Sequence, residues 1–486
     1  MEEKSIPSGE APKPAPKGKG MWIGIAVVVV VVVVLLAALL GGLFSIPEER
    51  VLKIGTVLSI TGTLAAFGTK NRQGVVMAAE EINAAGGVLD QAIQLFHQDD
   101  NTRPETARSA AATLVSQNRV DAIIGATGSG QCSTVIEVAK ANGVFEISGS
   151  CTSPRFSNDT LTADWWARTA PSDALQGVVA ASYAHSTSAG NLSFTRAAVI
   201  GIDNAYGTGL AEVFHDNFIR FGGTMVAPAE IVPEIVAGSP VPDYTTNLET
   251  ILNTNPRPEV LYIVAYPPEG IQIIKNFETA SGANPAWGSI QLLFSEGVFE
   301  QAAFLDVLRN PPNSYNISAY LGTAPSPYGG VRGADYPGWA ADYQTRWSTA
   351  PGLFDDNNYD GAYLVALAAQ KGGSATGATI RANIVSVANP PGTKVYPGEW
   401  AKARSLLANG TDVDYEGASG AVNIDNLGDP LSGYVVWGIN ATGQAVNRQI
   451  FPEPLVVSLL PAPPAYAPEA NRYLAPWSPE ARGKEE

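Results

Sequence analysis

From residue 51 onward, short apolar runs alternate with longer segments whose apolar residues recur at helical spacing. The short runs predict buried strands, and the longer segments predict amphipathic helices. In the first half of the chain, strands and helices are predicted in turn at 51–58, 71–85, 93–97, 104–117, 121–125, 133–142 and 144–148. Such alternation predicts a parallel sheet with helices on both faces.

The alternation pauses between residues 152 and 171 and then begins again. The second series predicts strands and helices in turn at 197–201, 209–221, 224–228, 244–253, 260–265, 270–281 and 290–294. More mixed α/β chain follows residue 299, with a helix predicted at 360–370. We therefore expect two α/β units in tandem. Ligands bind beyond the carboxyl ends of the strands in open α/β sheets, so two facing units predict a cleft between them.

Residues 21–44 form an uncharged apolar segment. At ~1.5 Å per residue, a helix of this length crosses the ~30 Å hydrocarbon core of a bilayer. A cleaved signal peptide is the alternative, although its apolar region is usually shorter, roughly 7 to 15 residues. Lysines precede the segment and Glu48 and Glu49 follow it, so the positive-inside rule predicts a single-pass signal anchor in the cell membrane. Residues 1–20 would be a disordered cytoplasmic tail, the globular part would be extracytoplasmic, and 461–486 would be a Pro-rich C-terminal tail.

The composition argues against several classes of function. The formal net charge is −16 and the chain has no basic stripe with interleaved aromatics, so we expect no nucleic-acid partner. The three histidines have no partner at metal-ligand spacing and no Gly-x-Ser-x-Gly elbow occurs, so we predict no metal, no cofactor and no enzymatic activity. Residues 355–361 hint at a calcium loop, but they lack the closing glutamate and favour a turn in which Asp360 caps the next helix.

Residues 123–133 have the order strand, glycine-rich turn and helix, and the spacing of a phosphate loop. Gln131 and Cys132 stand where a nucleotide site has lysine and Ser or Thr, so the cation that a triphosphate needs is missing. Free amides at a helix start, together with the Ser129 hydroxyl, suffice for one carboxylate. We therefore expect this loop to bind a carboxylate.

Cys132 and Cys151 are the only cysteines of the chain. They follow successive predicted strands, whose loops lie side by side at one edge of a parallel sheet, so we expect a disulfide in an oxidising compartment. The alternative is that Cys132 is an activated thiolate at a helix N-terminus.

A set of short motifs also follows one another along the chain. They are 58–62 (LSITG), 67–68 (FG), 73–74 (QG), 81–87 (EINAAGG), 99–100 (DD), 124–125 (IG) with Ser129, 147–154 (ISGSCTSP), 168–173 (RTAPSD), 203–207 (DNAYG) and 295–298 (SEGV). In this order, and over about residues 51–442, they resemble the type I extracellular solute-binding proteins of ABC transporters. The resemblance is to the leucine/isoleucine/valine-binding group in particular.

The resemblance implies a fold and a set of site residues. Two Rossmann-like parallel-sheet lobes, preceded by the transmembrane helix and joined by a three-stranded hinge, would close over a free amino acid. Lobe one would comprise 51–172 with about 298–415, and lobe two 173–297 with about 416–450. The positions that match the family's site are Ser129 and Thr152 for the ligand carboxylate, the Ser150 carbonyl and Glu296 for its ammonium, and Phe67, Tyr206 and Tyr266 along the cleft.

The resemblance also implies a function without chemistry. The protein would capture a free amino acid, branched-chain or otherwise apolar, and deliver it to the permease and ATPase subunits of an ABC transporter. Glu296 fits this role because a buried acid is costly unless a ligand supplies a cation. The loop around Ser129 and the cysteine positions depart from the family pattern. A sensor's ligand-binding domain, or a protein that binds amides, urea or aromatic acids, are the alternatives, and the sequence does not choose among leucine, phenylalanine and alanine.

Overall fold

The computed structural model describes residues 51–325 and 336–461. The segments predicted as cytoplasmic tail (1–20) and transmembrane helix (21–44) lie outside the described residues, as does all but the first residue of the predicted C-terminal tail (461–486). No helix within 51–325 and 336–461 combines the length and the apolar character that a membrane span requires.

The first series of elements forms a five-stranded parallel sheet. Its strands are β1 Lys53–Leu58, β2 Gln94–Asp99, β3 Ala122–Gly125, β4 Phe145–Ser148 and β5 Trp166–Arg168, and the helices between or after them are α1 Ala65–Ala84, α2 Pro104–Thr113, α3 Ser129–Ala141, α4 Asp159–Thr162 and α5 Asp173–His185. The strand order is β2-β1-β3-β4-β5. Separate apolar clusters cover the two faces of this sheet, which is why its strands are continuous apolar runs.

The second series forms a larger sheet. Its parallel strands are β6 Arg196–Ile202, β7 Thr224–Met225, β8 Glu230–Val232, β9 Val260–Val264, β10 Gln291–Phe294 and β11 Leu321–Pro325, with helices α6 Ala205–Arg220, α7 Thr245–Leu252, α8 Pro267–Ala283 and α9 Asp306–Arg309. The strand order is β16-β15-β11-β10-β9-β6-β7, where β8 also pairs with β6. This sheet has its own apolar core, so the chain has two α/β lobes.

The last stretch contributes to both lobes. It contains α10 Tyr336–Trp347, α11 Asp355–Gly372, α12 Gly377–Ala388, β12 Thr393–Val395, α13 Trp400–Ala408, β13 Val413–Gly417, β14 Gly420–Ala421, β15 Tyr434–Ile439, β16 Ala445–Phe451 and α14 Glu453–Leu459. Helix α11 packs on α1 in lobe one, whereas β15 and β16 add antiparallel strands to the second sheet. Along residues 51–325 and 336–461, successive elements therefore change lobe three times.

Two expectations differ from this arrangement. The chain is predicted to return to lobe one at about residue 298, but β11 is a strand of the second sheet, so lobe two extends to Pro325. The predicted turn at 355–361 is the first part of α11, so Asp360 is not a cap. Its buried carboxylate instead accepts hydrogen bonds from the backbone amides of Ala418 and Ser419, at 2.9 and 2.8 Å. These two amides follow the end of β13, and the carboxylate gives them the hydrogen-bond partner that the strand does not.

Candidate functional site

The loop after β3 lies at the carboxyl edge of the first sheet. Gly125 has φ of +142°, and a Cβ there would lie 2.1 Å from the Val57 carbonyl oxygen, so only glycine allows this turn. Gly128 is extended and α3 begins at Ser129, so the first amides of α3 have no partner within the helix. The Ser129 hydroxyl is buried and accepts a hydrogen bond from the Ser153 amide at 3.2 Å. A helix start of this kind attracts an anion.

The loop after β4 packs against the loop after β3. The Ser150 hydroxyl donates to the carbonyls of Ala126 and Thr127, at 3.1 and 3.0 Å. Ser150 therefore fixes the glycine-rich turn with its side chain and keeps its own carbonyl available. Thr152, two residues later, is buried and lines the same cavity as Ser129.

A disulfide joins these two loops. The structure pairs Cys132 of α3 with Cys151, whose Cα atoms lie 6.6 Å apart and which are separated by 19 residues in sequence. Both cysteines are fully buried, which gives Cys132 no access to a substrate as a thiolate. The disulfide connects the helix start to the segment that carries Ser150 and Thr152.

We predict that the double variant Cys132→Ser/Cys151→Ser unfolds with a free energy about 2 to 4 kcal/mol lower than the wild type, because the cross-link restricts a short loop in the unfolded chain. Urea unfolding measured with and without reductant tests this. Reductant should reproduce the loss in the wild type and leave the variant unchanged. Equal stability of the oxidised wild type and the variant would contradict the prediction.

The second lobe contributes two tyrosines and an acid. The Tyr206 hydroxyl at the start of α6 lies within hydrogen-bond distance of the Ser295 hydroxyl and the Glu296 carboxylate, at 2.8 and 3.0 Å, and accepts from the Gly297 amide at 3.1 Å. The Tyr206 ring stacks on that of Tyr266, with centroids 5.1 Å apart. These contacts hold the segment after β10, with its acid, against the start of α6.

Glu296 is 2% exposed and has no basic partner within the described ranges. Its Oε2 accepts hydrogen bonds from the Gln176 amide at 2.6 Å and from the Tyr206 hydroxyl. Burial raises the pKa of Glu296 to about 7, and these hydrogen bonds limit the rise. The carboxyl is therefore placed to ionise as soon as a cation enters.

One cavity brings the predicted residues together. Its lining contains all seven: Phe67, Ser129, Ser150, Thr152, Tyr206, Tyr266 and Glu296. It also contains residues that the sequence analysis missed, namely Leu64, Thr127, Gly297, Leu353 and Phe354. Neither Lys nor Arg is among these lining residues. One end of the cavity offers the amides of a helix start and hydroxyl groups, and the other end offers the carboxyl of Glu296.

The missed lining residues have different origins. Leu64 immediately precedes α1 and lies between the motifs 58–62 and 67–68, neither of which includes it. Leu353 and Phe354 reach the cavity because α11 docks on α1, and Phe354 has a left-handed backbone with φ of 68°. No local sequence pattern predicts that docking. These apolar side chains and Phe67 make the wall that a ligand side chain would meet.

The two lobes touch around the cavity. The Ser153 hydroxyl of lobe one donates to the Ala205 carbonyl of lobe two at 2.6 Å. Lys70 on α1 pairs with Glu300 beyond β10 at 3.2 Å. The two lobes are therefore in direct contact near the cavity.

Sequence comparisons agree with this geometry. The sequence profile of the periplasmic binding proteins matches residues 51–403. The chemotactic signal transduction system substrate-binding protein BasB of Halobacterium salinarum is 24% identical over 412 residues, which are 80% of this chain and 87% of BasB. The Leu/Ile/Val-binding protein BraC3 of Rhizobium johnstonii is 30% identical over 237 residues, 49% of this chain and 60% of its own.

Solved structures show the same fold. The leucine-binding protein LivK of Thermotoga maritima aligns with a TM-score of 0.64 and 22% identity, over 83% of this chain and 99% of its own. A solute-binding protein of an ABC transporter from Rhodopseudomonas palustris, in complex with 3,4-dihydroxybenzoic acid, aligns with a TM-score of 0.62 and 17% identity, over 84% and 98%. The profile match over most of its length shows that this chain belongs to the periplasmic binding protein family, whose members are solute-binding transport components and not enzymes.

Proposed function

We propose that this protein is a membrane-anchored receptor that captures a free apolar amino acid outside the cytoplasm and delivers it to an ABC permease. One observation carries the proposal: the cavity has a carboxyl without a fixed cation, Glu296, together with a helix start that favours an anion at Ser129. A zwitterion satisfies both ends at once. A ligand that carries only an ammonium or only a carboxylate leaves the opposite end of the cavity without a charged partner.

The ligand's orientation follows from these contacts. Its carboxylate lies at the first amides of α3, with the hydroxyls of Ser129 and Thr152 as further donors. Its ammonium lies between Glu296 and the Ser150 carbonyl. Closure buries the ligand between both lobes, so the ligand stabilises the closed state over the open one.

The apolar wall selects the side chain. Leu64, Phe67, Leu353 and Phe354 carry no polar side-chain atoms, so a charged or amide side chain would lose its hydrogen bonds with water on entry. Branched-chain amino acids and phenylalanine fit this chemistry. The similarity to a Leu/Ile/Val-binding protein and to a leucine-binding protein supports the same ligand class.

An aromatic acid is the alternative ligand, because a structural neighbour has 3,4-dihydroxybenzoic acid bound. Such a ligand carries no ammonium and would leave Glu296 either protonated or buried as an unpaired charge. The buried carboxyl of Glu296 therefore favours an amino acid over an aromatic acid as the ligand.

A panel of ligands tests the proposed function. We expect leucine, isoleucine, valine or phenylalanine to raise the melting temperature of the protein, with a stabilisation of about 2.7 kcal/mol at a hundred times its Kd. Two matched analogues of leucine should have little effect: leucinamide, which lacks the carboxylate charge, and isocaproate, which lacks the amino group. Stabilisation by benzoate and by none of the twenty amino acids would refute the proposal.

A second candidate function is ligand sensing. BasB belongs to a chemotactic signal transduction system, and its similarity to this protein extends over 80% of this chain. In that case the same closed, ligand-bound state would be presented to a membrane receptor rather than to a permease. Genes for two permeases and two ATPases beside the gene for this protein would favour transport.

A further inference from the structure

A second buried carboxyl lies beside Glu296. Asp173 is the first residue of α5, is fully buried, and is near enough to Glu296 for the two carboxyls to repel each other. Neither oxygen of Asp173 has a well-aligned hydrogen-bond partner among the described residues, although the Thr152 hydroxyl is close enough to lower its pKa. Gln176, one turn further along α5, donates to Glu296. Helix α5 thus brings an acid and an amide to the carboxyl of the cavity.

The surroundings supply this pair with little positive charge. Arg168 at the end of β5 is the cation that acts on Asp173, but its Nε already pairs with Asp429 at 2.5 Å. The other titratable groups that face the pair, from α6, β9, β15 and the residue before α8, are Tyr206, Tyr262, Tyr434 and Tyr266. Burial raises the pKa of each tyrosine, so all four stay neutral. Two desolvated carboxyls in such surroundings do not both ionise without another cation.

We propose that Asp173 and Glu296 act as a carboxyl pair that carries one more proton in the empty site than in the occupied site, so that amino-acid binding releases a proton. The proposal rests on the proposed function, because the ligand's ammonium takes the place of the proton. Glu296 gives its proton to the solvent as the ammonium arrives, and the ammonium keeps all of its own. Asp173 keeps its proton in both states and is a positioning residue, a neutral acid beside the ionised Glu296.

Burial sets the order in which the two groups ionise. Burial raises the pKa of Asp173 well above its usual value, and repulsion by Glu296 adds to the effect. Glu296 accepts hydrogen bonds from Gln176 and Tyr206, whereas neither oxygen of Asp173 has a well-aligned donor, so the charged form is better stabilised at Glu296 and Glu296 ionises first. The pKa of Glu296 accordingly rises only to about 7. The empty protein then binds more protons than the complex at acidic pH. Affinity therefore rises with pH until the pKa of Glu296 is passed, and it falls roughly tenfold per pH unit below it.

Calorimetry of the wild-type protein with leucine, or with the apolar amino acid that stabilises it most, tests the coupling. Titrations in two buffers of different ionisation enthalpy should show the release of about one proton at about pH 6 and of almost none at about pH 8. The Kd should weaken as the pH falls between these values. A Kd and a heat of binding that are independent of pH and buffer would overturn the proposal.

Variants assign the proton. Glu296→Gln should bind weakly and without proton release, because the amide cannot titrate. Glu269→Gln is the matched control: burial also raises the pKa of Glu269 to about 7, but Glu269 does not line the cavity, so its loss should leave the proton release intact. Release that survives Glu296→Gln, or that disappears in Glu269→Gln, would place the proton elsewhere and overturn the proposal. Glu234, whose pKa burial raises to about 6, does not line the cavity either and provides the same control.

Asp173→Asn tests the protonation state of Asp173. If Asp173 is already neutral, a neutral amide in its place leaves the pH midpoint of binding near that of the wild type. If Asp173 were ionised, removing its charge would lower the midpoint by about one unit or more, which would contradict the pair. Failure of every amino acid to bind at any pH would refute the proposed function, whereas binding without proton release would refute only this inference.

Discussion

Glu296→Ala is expected to weaken the binding of an apolar amino acid by about 2 to 5 kcal/mol, which is at least about thirtyfold in Kd. The carboxyl is 2% exposed and no basic residue in the described part of the chain pairs with it. In the variant, the ligand's ammonium is buried without its counter-charge, and that desolvation is the main cost. Calorimetry at about pH 8, where Glu296 is ionised, measures the effect.

Two controls make the result specific. Glu259→Ala removes a glutamate of the same lobe that is bound to the Thr195 and Arg196 amides and lies outside the cavity, so affinity should change less than about threefold. Isocaproate, which has no ammonium, should lose no affinity when Glu296 is truncated. A double-mutant cycle between the side chain and the ligand's amino group isolates their interaction. If Glu296→Ala bound leucine within threefold of the wild type, Glu296 would have no role in holding the ammonium.

The prediction of most of this site rests on the motifs that carry the family resemblance, whereas Ser129 also follows from the glycine-rich turn between a predicted strand and a predicted helix. Ser129, Ser150 and Glu296 come after β3, β4 and β10, and the carboxyl ends of parallel strands meet at one edge of a sheet. The apolar runs identify the strands, and the polar residues just beyond them identify the edge. Two such edges that face each other form the cleft. The convergence of all seven predicted residues on one cavity depends on this rule and on the motifs.

Other parts of the site depend on packing that no local pattern encodes. Leu353 and Phe354 line the cavity because α11 docks on α1, which lies some 280 residues earlier in the chain. β11 pairs with β15, an antiparallel strand about 110 residues further along the chain, so no local pattern places β11 in lobe two. In the sequence, Asp173 stands out only as the last residue of the motif 168–173, and no helix is predicted there. Only the fold shows that its carboxyl is fully buried beside Glu296.

Arg168 has a similar hidden role at a crossing between the lobes. Its Nε pairs with Asp429 at 2.5 Å, and both side chains are almost completely buried. Its Nη1 donates to the carbonyls of Cys151 and Ser153, at 3.2 and 2.9 Å. The guanidinium thus fastens the loop that carries Thr152 to the segment before β15. The planar guanidinium of Arg168 holds its N–H donors in a fixed arrangement that reaches all of these acceptors at once, which the ammonium of a lysine could not do.

We expect Arg168→Met to lower the free energy of unfolding by about 3 to 5 kcal/mol, because Asp429 then remains as a buried charge without its partner. The double variant Arg168→Met/Asp429→Asn should recover part of this loss, since the amide carries no charge to strand. The exposed pair between Arg346 and Glu80 is the control, and breaking it with Arg346→Met should cost less than about 1 kcal/mol. Urea unfolding of the four proteins measures these differences. If Arg168→Met cost no more than the surface variant, the buried pair would not hold the crossing segment to the binding loop, and the rigidity of that loop would have to come from the disulfide alone.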